Sequence, residues 1–131
     1  MTDRSRTVGS RLPGRDLRLE RDLLAQVDAA APVPLGYGFG DLVAARLALG
    51  DCRHGHGFLS RTVDDLLAEA VEEAEDLPAW ALLAYQQAVR HGGDQATLDE
   101  VRHQVIAAGI GAAHAHLWLR NAATVWKRAE R

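Results

Sequence analysis

The feature that most constrains the fold is the helical spacing of apolar residues between Val63 and Ala81. At 100° per residue, seven apolar side chains fall within roughly a third of the helical circumference: Val63, Leu66, Leu67, Ala70, Ala74, Leu77 and Ala81. No segment of the chain has the apolar and polar alternation of a half-buried strand. The sequence therefore predicts an all-α protein, a four- to five-helix bundle.

In the N-terminal half, capping and breaking residues predict two helices. The first begins at the cap Asp16 and stops at the prolines that follow it. The second covers "DLVAARLALG", with Asp41 as its cap and Gly50 as its end. Residues 1–15 lack apolar periodicity, so we expect a disordered tail, followed by a single helical domain over residues 16–131.

In the C-terminal half, two longer helices are predicted. Thr62 can cap the first of them, and Pro78 is expected to kink it because proline removes a backbone hydrogen bond. The segment "GGD" separates the two helices, and the last one opens at Gln95 or Thr97. Gly109 either weakens this last helix or lets another helix approach it closely.

Composition and charge disfavour several classes of function. The net charge of -3 and the pI near 6.0 argue against nucleic acid as an obligate partner, because phosphate binding needs clustered Lys and Arg. Cys52 is the single cysteine, which excludes an intrachain disulfide and favours a cytoplasmic setting. With neither a secretory signal nor an apolar run of about 18 residues, no membrane association is expected.

The strongest chemical signal is acidic. The segment "DDLLAEAVEEAED" carries seven carboxylates and neither Lys nor Arg. Four of them share one side of the helix and form the acidic stripe, which consists of Asp65, Glu69, Glu72 and Asp76. Glu73 lies between this stripe and the apolar edge. Carboxylates without basic neighbours suit a hard divalent cation, so the sequence predicts bound Mg²⁺ or Mn²⁺.

Residues 69–88, "EAVEEAEDLPAWALLAYQQA", carry a family resemblance. They resemble the metal-binding helix of the MazG-like all-α nucleoside triphosphate pyrophosphatases, in which an ExxD pair precedes an apolar continuation with a tyrosine. Glu73 and Asp76 match the pair, and Glu69 and Glu72 extend it upstream. The resemblance implies that these four carboxylates hold Mg²⁺ or Mn²⁺ on a nucleoside triphosphate. Water would then attack the α-phosphorus and release pyrophosphate.

Other interpretations of the same residues remain open. The EExxE motif that this family carries on a preceding helix has no counterpart here, which favours a non-catalytic helical interaction module whose acidic face meets a basic partner. The acidic helix could also be a solvated surface, or it could pair with arginines from elsewhere in the chain, such as Arg46, Arg53 or Arg102.

Two further hypotheses concern metal and assembly. Glu100 and His103 have the E-x-x-H spacing of ferritin-like di-iron proteins, for which Glu69 or Glu72 could supply the facing carboxylate. Three tryptophans and two helices interrupted by glycine or proline predict apolar faces wider than one small bundle needs. We therefore expect a homodimer.

Overall fold

The computed structural model describes residues 15–30, 38–54 and 60–131. They hold four α-helices and no strand: α1 Leu17–Ala30, α2 Phe39–His54, α3 Val63–Arg90 and α4 Gln95–Glu130. The predicted all-α class is confirmed for this part of the chain. The tail predicted over residues 1–15 lies outside the described residues, apart from Arg15.

The chain divides into two compact units, Met1–Ser60 and Arg61–Arg131. In the first unit α1 packs on α2, and in the second α3 packs on α4. The expectation of a single domain over residues 16–131 stays a prediction. None of the described helices has the length and apolar character that crossing a membrane would require.

In the first unit, a contact between helices decides where α2 begins. Asp16 caps α1 as predicted, since its Oδ1 accepts the Leu19 N–H at 3.0 Å. Oδ1 of Asp28, near the end of α1, accepts the Gly40 N–H at 2.8 Å. This tertiary bond satisfies one of the free amides at the start of α2, and the helix begins before Asp41.

The predicted end of α2 is also wrong. The helix continues through Gly50 to His54. A glycine inside a helix costs about 1 kcal/mol relative to alanine, which is too little to end a helix by itself.

The second unit is a helical hairpin with capped ends. Oγ1 of Thr62 accepts the Asp65 N–H at 3.0 Å, as predicted for the start of α3, which then runs through Pro78. Asp94 caps α4, because its Oδ1 accepts the Thr97 N–H at 3.0 Å. This hydrogen bond is the main reason that the pKa of Asp94 is lowered below its usual 3.8, and a hydrogen bond from the Thr97 hydroxyl is the second reason. Between the helices, Gly92 turns the chain at a φ of +73°.

The contact between α3 and α4 is a seam of mostly small residues. Seven of the nine half-buried positions on α3 recur at alternating steps of four and three: Leu67, Val71, Ala74, Pro78, Ala81, Tyr85 and Ala88. This spacing is typical of coiled-coil packing. On α4 the half-buried positions include Val105, Gly109, His116 and Leu119. Among the described residues, Ala112 is the one buried hydrophobic side chain, with 7% of its surface exposed.

Candidate interaction surface

One polar contact crosses the seam of the hairpin. Nε2 of His116 lies 2.8 Å from Oε2 of Glu75. Further along, a Cβ added to Gly109 would lie 4.0 Å from Cβ of Pro78. The residue numbers thus rise along α3 as they fall along α4, so the two helices are antiparallel. A shallow groove of about 280 Å³ surrounds these residues and also contacts Ala112.

A second groove, of about 410 Å³, lies at the open end of the hairpin, where α3 begins and α4 ends. Its acidic residues, Asp64 and Asp65, come from α3, and its basic residues, Arg120 and Lys127, come from α4. Within the described part of the chain, no ion pair joins these four side chains. Oδ1 of Asp64 is buried there without a hydrogen-bond partner. The groove therefore holds opposite charges that stay unpaired.

Both grooves lie on the same side of the hairpin, which we call the groove face. Helical periodicity extends this face along each helix. On α3 it contains Asp64, Ala68, Val71, Glu75, Pro78, Leu82, Gln86 and Val89. On α4 it contains Ile106, Ile110, Ala113, Leu117, Arg120, Thr124 and Lys127, at alternating steps of four and three. On α4 this stripe is separate from the one that forms the seam, whereas on α3 the two stripes share Val71 and Pro78.

The groove face changes character along its length. The half nearer the turn carries large apolar side chains, Leu82 on α3 and Ile106 and Ile110 on α4, and its polar members are Gln86 and Arg102. The three apolar side chains are about half exposed; the value for Ile110 is 55%. Near the open end the face carries Asp64 from α3 and Lys127 from α4. The surface therefore has an apolar half and a half in which α3 is acidic and α4 is basic.

Other large apolar side chains lie away from the groove face. Trp80 and Trp118 are 71% and 67% exposed, and Leu77 is about half exposed. Helical periodicity places Leu77 and Trp80 on the opposite side of α3 from Leu82. The hairpin therefore leaves apolar side chains uncovered on more than one side.

The four carboxylates predicted to bind a cation, Glu69, Glu72, Glu73 and Asp76, are all exposed on the outer surface of α3. Nη2 of Arg61 lies 3.2 Å from Oε1 of Glu69. This is a pairing with an arginine just before α3, and not with one from another helix. Within the described residues, no three Asp, Glu, His or Cys side chains are grouped so that they could hold a metal ion. The Mg²⁺ or Mn²⁺ site stays a prediction.

The residues of the di-iron hypothesis are far apart. The contact between Glu75 and His116 sets the register of the two helices, so Glu69 lies beside the last third of α4. Glu100 lies near the beginning of α4, about 30 Å away at a rise of 1.5 Å per residue. Its carboxylate accepts a hydrogen bond from Gln104 at 2.8 Å. A single hairpin does not bring Glu100 and Glu69 to one metal.

Sequence reasoning missed the groove face. Its clearest signal is the four-three spacing from Ile106 to Lys127, which the amino-acid sequence alone contains. The contact between Glu75 and His116 had no such signal, because it depends on the register between two helices.

Comparison of this chain with protein-family models, with curated proteins and with solved structures finds no match. The resemblance to the MazG-like group therefore rests on residues 69–88 of α3, and the nucleotide chemistry that it implies stays a prediction.

Proposed function

We propose that this protein is a non-catalytic helical interaction module that assembles with copies of itself through the α3·α4 hairpin. The observation that supports this proposal is that the hairpin is long but buries very few apolar side chains between its two helices. Its helices have 28 and 36 residues, yet Ala112 is the one buried hydrophobic side chain among the described residues.

The energetics of helices make this mismatch informative. Most helical stability in proteins comes from packing of an apolar face, and isolated helices are marginal in water. Each Leu, Ile or Val left exposed forgoes about 1.5–3 kcal/mol that burial would contribute. Side chains such as Leu82, Ile110 and Leu117 are each about half exposed. Packing against further helices would supply the missing burial.

The acidic stripe fits the same proposal. Its carboxylates lie on the outer surface of α3, away from the seam with α4. Asp65 also lines the groove face. An assembly formed through that face would leave Glu69, Glu72 and Asp76 in solvent. These three carboxylates would then be available to a basic partner, as expected of an interaction module with an acidic face.

The test is the oligomeric state of the full chain and its effect on stability. Light scattering should report a multiple of the 14.2 kDa chain mass. The melting temperature should rise with protein concentration, because assembly stabilises the folded state by mass action. A chain that stays monomeric at high micromolar concentration, with a melting temperature independent of concentration, would contradict the proposal.

A further inference from the structure

We propose that two copies of this chain pack groove face against groove face about a twofold axis parallel to the helices, so that α3 of each copy lies on α4 of the other. This inference rests on the self-assembly proposed above and adds the surface, the orientation and the residues that select the partner. The result is an antiparallel four-helix bundle formed by two hairpins.

The spacing of residues on the groove face indicates that its occupant is helical. Side chains that recur at alternating steps of four and three residues form a row along the helix. Such a row can insert between the side chains of a facing helix, as in a coiled coil. On α4 the stripe on the groove face is additional to the seam, and on α3 it flanks the seam and shares Val71 and Pro78 with it. A helix with two adjacent stripes of this kind is typical of bundles with more than two helices.

The charges at the open end indicate that the occupant is a second copy. Asp64 and Asp65 lie on the α3 side of the groove, and Arg120 and Lys127 lie on the α4 side. In a twofold interface every contact occurs twice. If residue i of one copy contacts residue j of the other, then residue j of the first copy contacts residue i of the second. An axis parallel to the helices places the acidic side of each copy on the basic side of the other. All four side chains then gain a neighbour of opposite charge.

The apolar half excludes the other twofold arrangement. An axis perpendicular to the helices would place the charged open end of one copy on the apolar half of the other. Arg120 would then lie against Ile106 of the other copy, which supplies no charged or hydrogen-bonding partner. Burying a charge without a partner is strongly unfavourable, whereas the parallel axis matches apolar surface with apolar surface.

The middle of the groove face is compatible with this contact. Glu75 and His116 meet the second copy there, and they are already joined within each hairpin at 2.8 Å. Nε2 of His116 and Oε2 of Glu75 therefore enter the interface already paired with each other.

The size of the face matches that of a stable dimer. The 28 residues of α3 span about 42 Å, and two adjacent helices are about 20 Å wide. The face therefore offers about 800 Å² per copy, which is the contribution of each partner to a standard protein interface.

A charge exchange in the full chain tests the arrangement. One variant carries Asp64→Lys with Asp65→Lys, and the other carries Arg120→Glu with Lys127→Glu. Each variant alone brings like charges together across the axis, so its dimer dissociation constant should rise at least about tenfold. An equimolar mixture brings opposite charges together again. Analytical ultracentrifugation should then find a dimer of about the parent's affinity in the mixture alone.

The mixture also separates pairing from folding defects. Lysine at the start of α3 and glutamate near the end of α4 oppose the helix dipoles, so each variant should be checked for helix content by circular dichroism. That cost is the same in the mixture, and recovery of the dimer can come only from contacts between chains. Trp80→Gln, on the other side of α3, serves as the control and should leave the dimer intact.

The outcomes distinguish this inference from the self-assembly on which it rests. A monomeric parent overturns both. A dimeric parent whose mass is unchanged by either charge variant, or a mixture that stays monomeric, overturns the groove-face arrangement alone. Loss of the dimer in Trp80→Gln, with no effect of the charge variants, would move the interface to the opposite side of the hairpin.

Discussion

At the scale of single residues, the clearest constraint is the contact between Gly40 and Asp28. The Gly40 N–H donates to Asp28 at 2.8 Å, so the two helices of the first unit approach closely at this point. A Cβ added to Gly40 would lie 2.7 Å from Oδ2 of Asp28 and 3.2 Å from Cβ of Leu24. The carboxylate could retreat only by giving up its hydrogen bond.

We therefore predict that Gly40→Ala lowers the free energy of unfolding by about 1–3 kcal/mol, the usual cost of overpacking. Gly50 is the matched control in the same helix, since a Cβ added there meets nothing within 4 Å. Gly50→Ala should raise the free energy of unfolding by up to about 1 kcal/mol, because alanine favours the helix. Urea titration followed by circular dichroism measures both. Equal effects of the two substitutions would contradict the proposed steric role of Gly40.

Asp94 gives a prediction on pH. Its pKa is lowered below 3.8, mainly by the hydrogen bond from the Thr97 N–H. A carboxyl whose folded pKa is depressed contributes stability above its unfolded pKa and loses it as the pH falls through the folded pKa. Asp94→Asn keeps a capping oxygen but cannot titrate. The melting temperature of the parent should therefore fall more steeply than that of this variant as the pH drops below 3.8.

The control for this prediction is Asp94→Ala, which removes the cap at every pH. It should lower the melting temperature at neutral pH, where Asp94→Asn leaves it nearly unchanged. Parallel acid profiles of the parent and Asp94→Asn would show that the carboxylate charge contributes nothing to folding.

At the scale of helices, local signals predict an end well when the residues that form it are neighbours in sequence. Asp16 and Thr62 each cap a helix through an amide three residues on, and both were recognisable in the sequence. The start of α2 was not recognisable in the sequence, because the amide of Gly40 donates its hydrogen bond to Asp28 of another helix. Bonds across twelve residues of chain depend on packing, which periodicity does not reveal.

The acidic outer surface of α3 allows the cation hypothesis to be tested. Glu73→Gln with Asp76→Asn should leave the melting temperature equal or slightly higher in chelator, since it removes repulsion between like charges. The Mg²⁺ or Mn²⁺ prediction further requires that either ion stabilise the parent and not this variant. Asp99→Asn with Glu100→Gln on α4 removes the same charges elsewhere and is the matched control. A parent indifferent to both ions would remove the basis for MazG-like nucleotide chemistry.

At the scale of the whole chain, the helical class and the number of long helices follow from periodicity, whereas the candidate surface does not. The stripe from Ile106 to Lys127 is visible in the sequence, but its meaning depends on what lies beside it. The register fixed by Glu75 and His116 brings Asp64 to the same end as Lys127 and leaves Glu100 far from Glu69. One helix-to-helix offset, which no local pattern encodes, therefore decides which charged residues can act together.

The short turn of the hairpin has a consequence for the order of folding. Only four residues, His91–Asp94, separate α3 from α4, so contacts next to the turn close small loops and those at the open end close the largest. Local contacts of this kind fold in microseconds to milliseconds. We expect refolding to begin with a fast phase independent of concentration, in which the two helices zip outward from Gly92. A slower bimolecular phase should follow, and the apolar half of each hairpin will be ready to meet another chain before its charged end has closed.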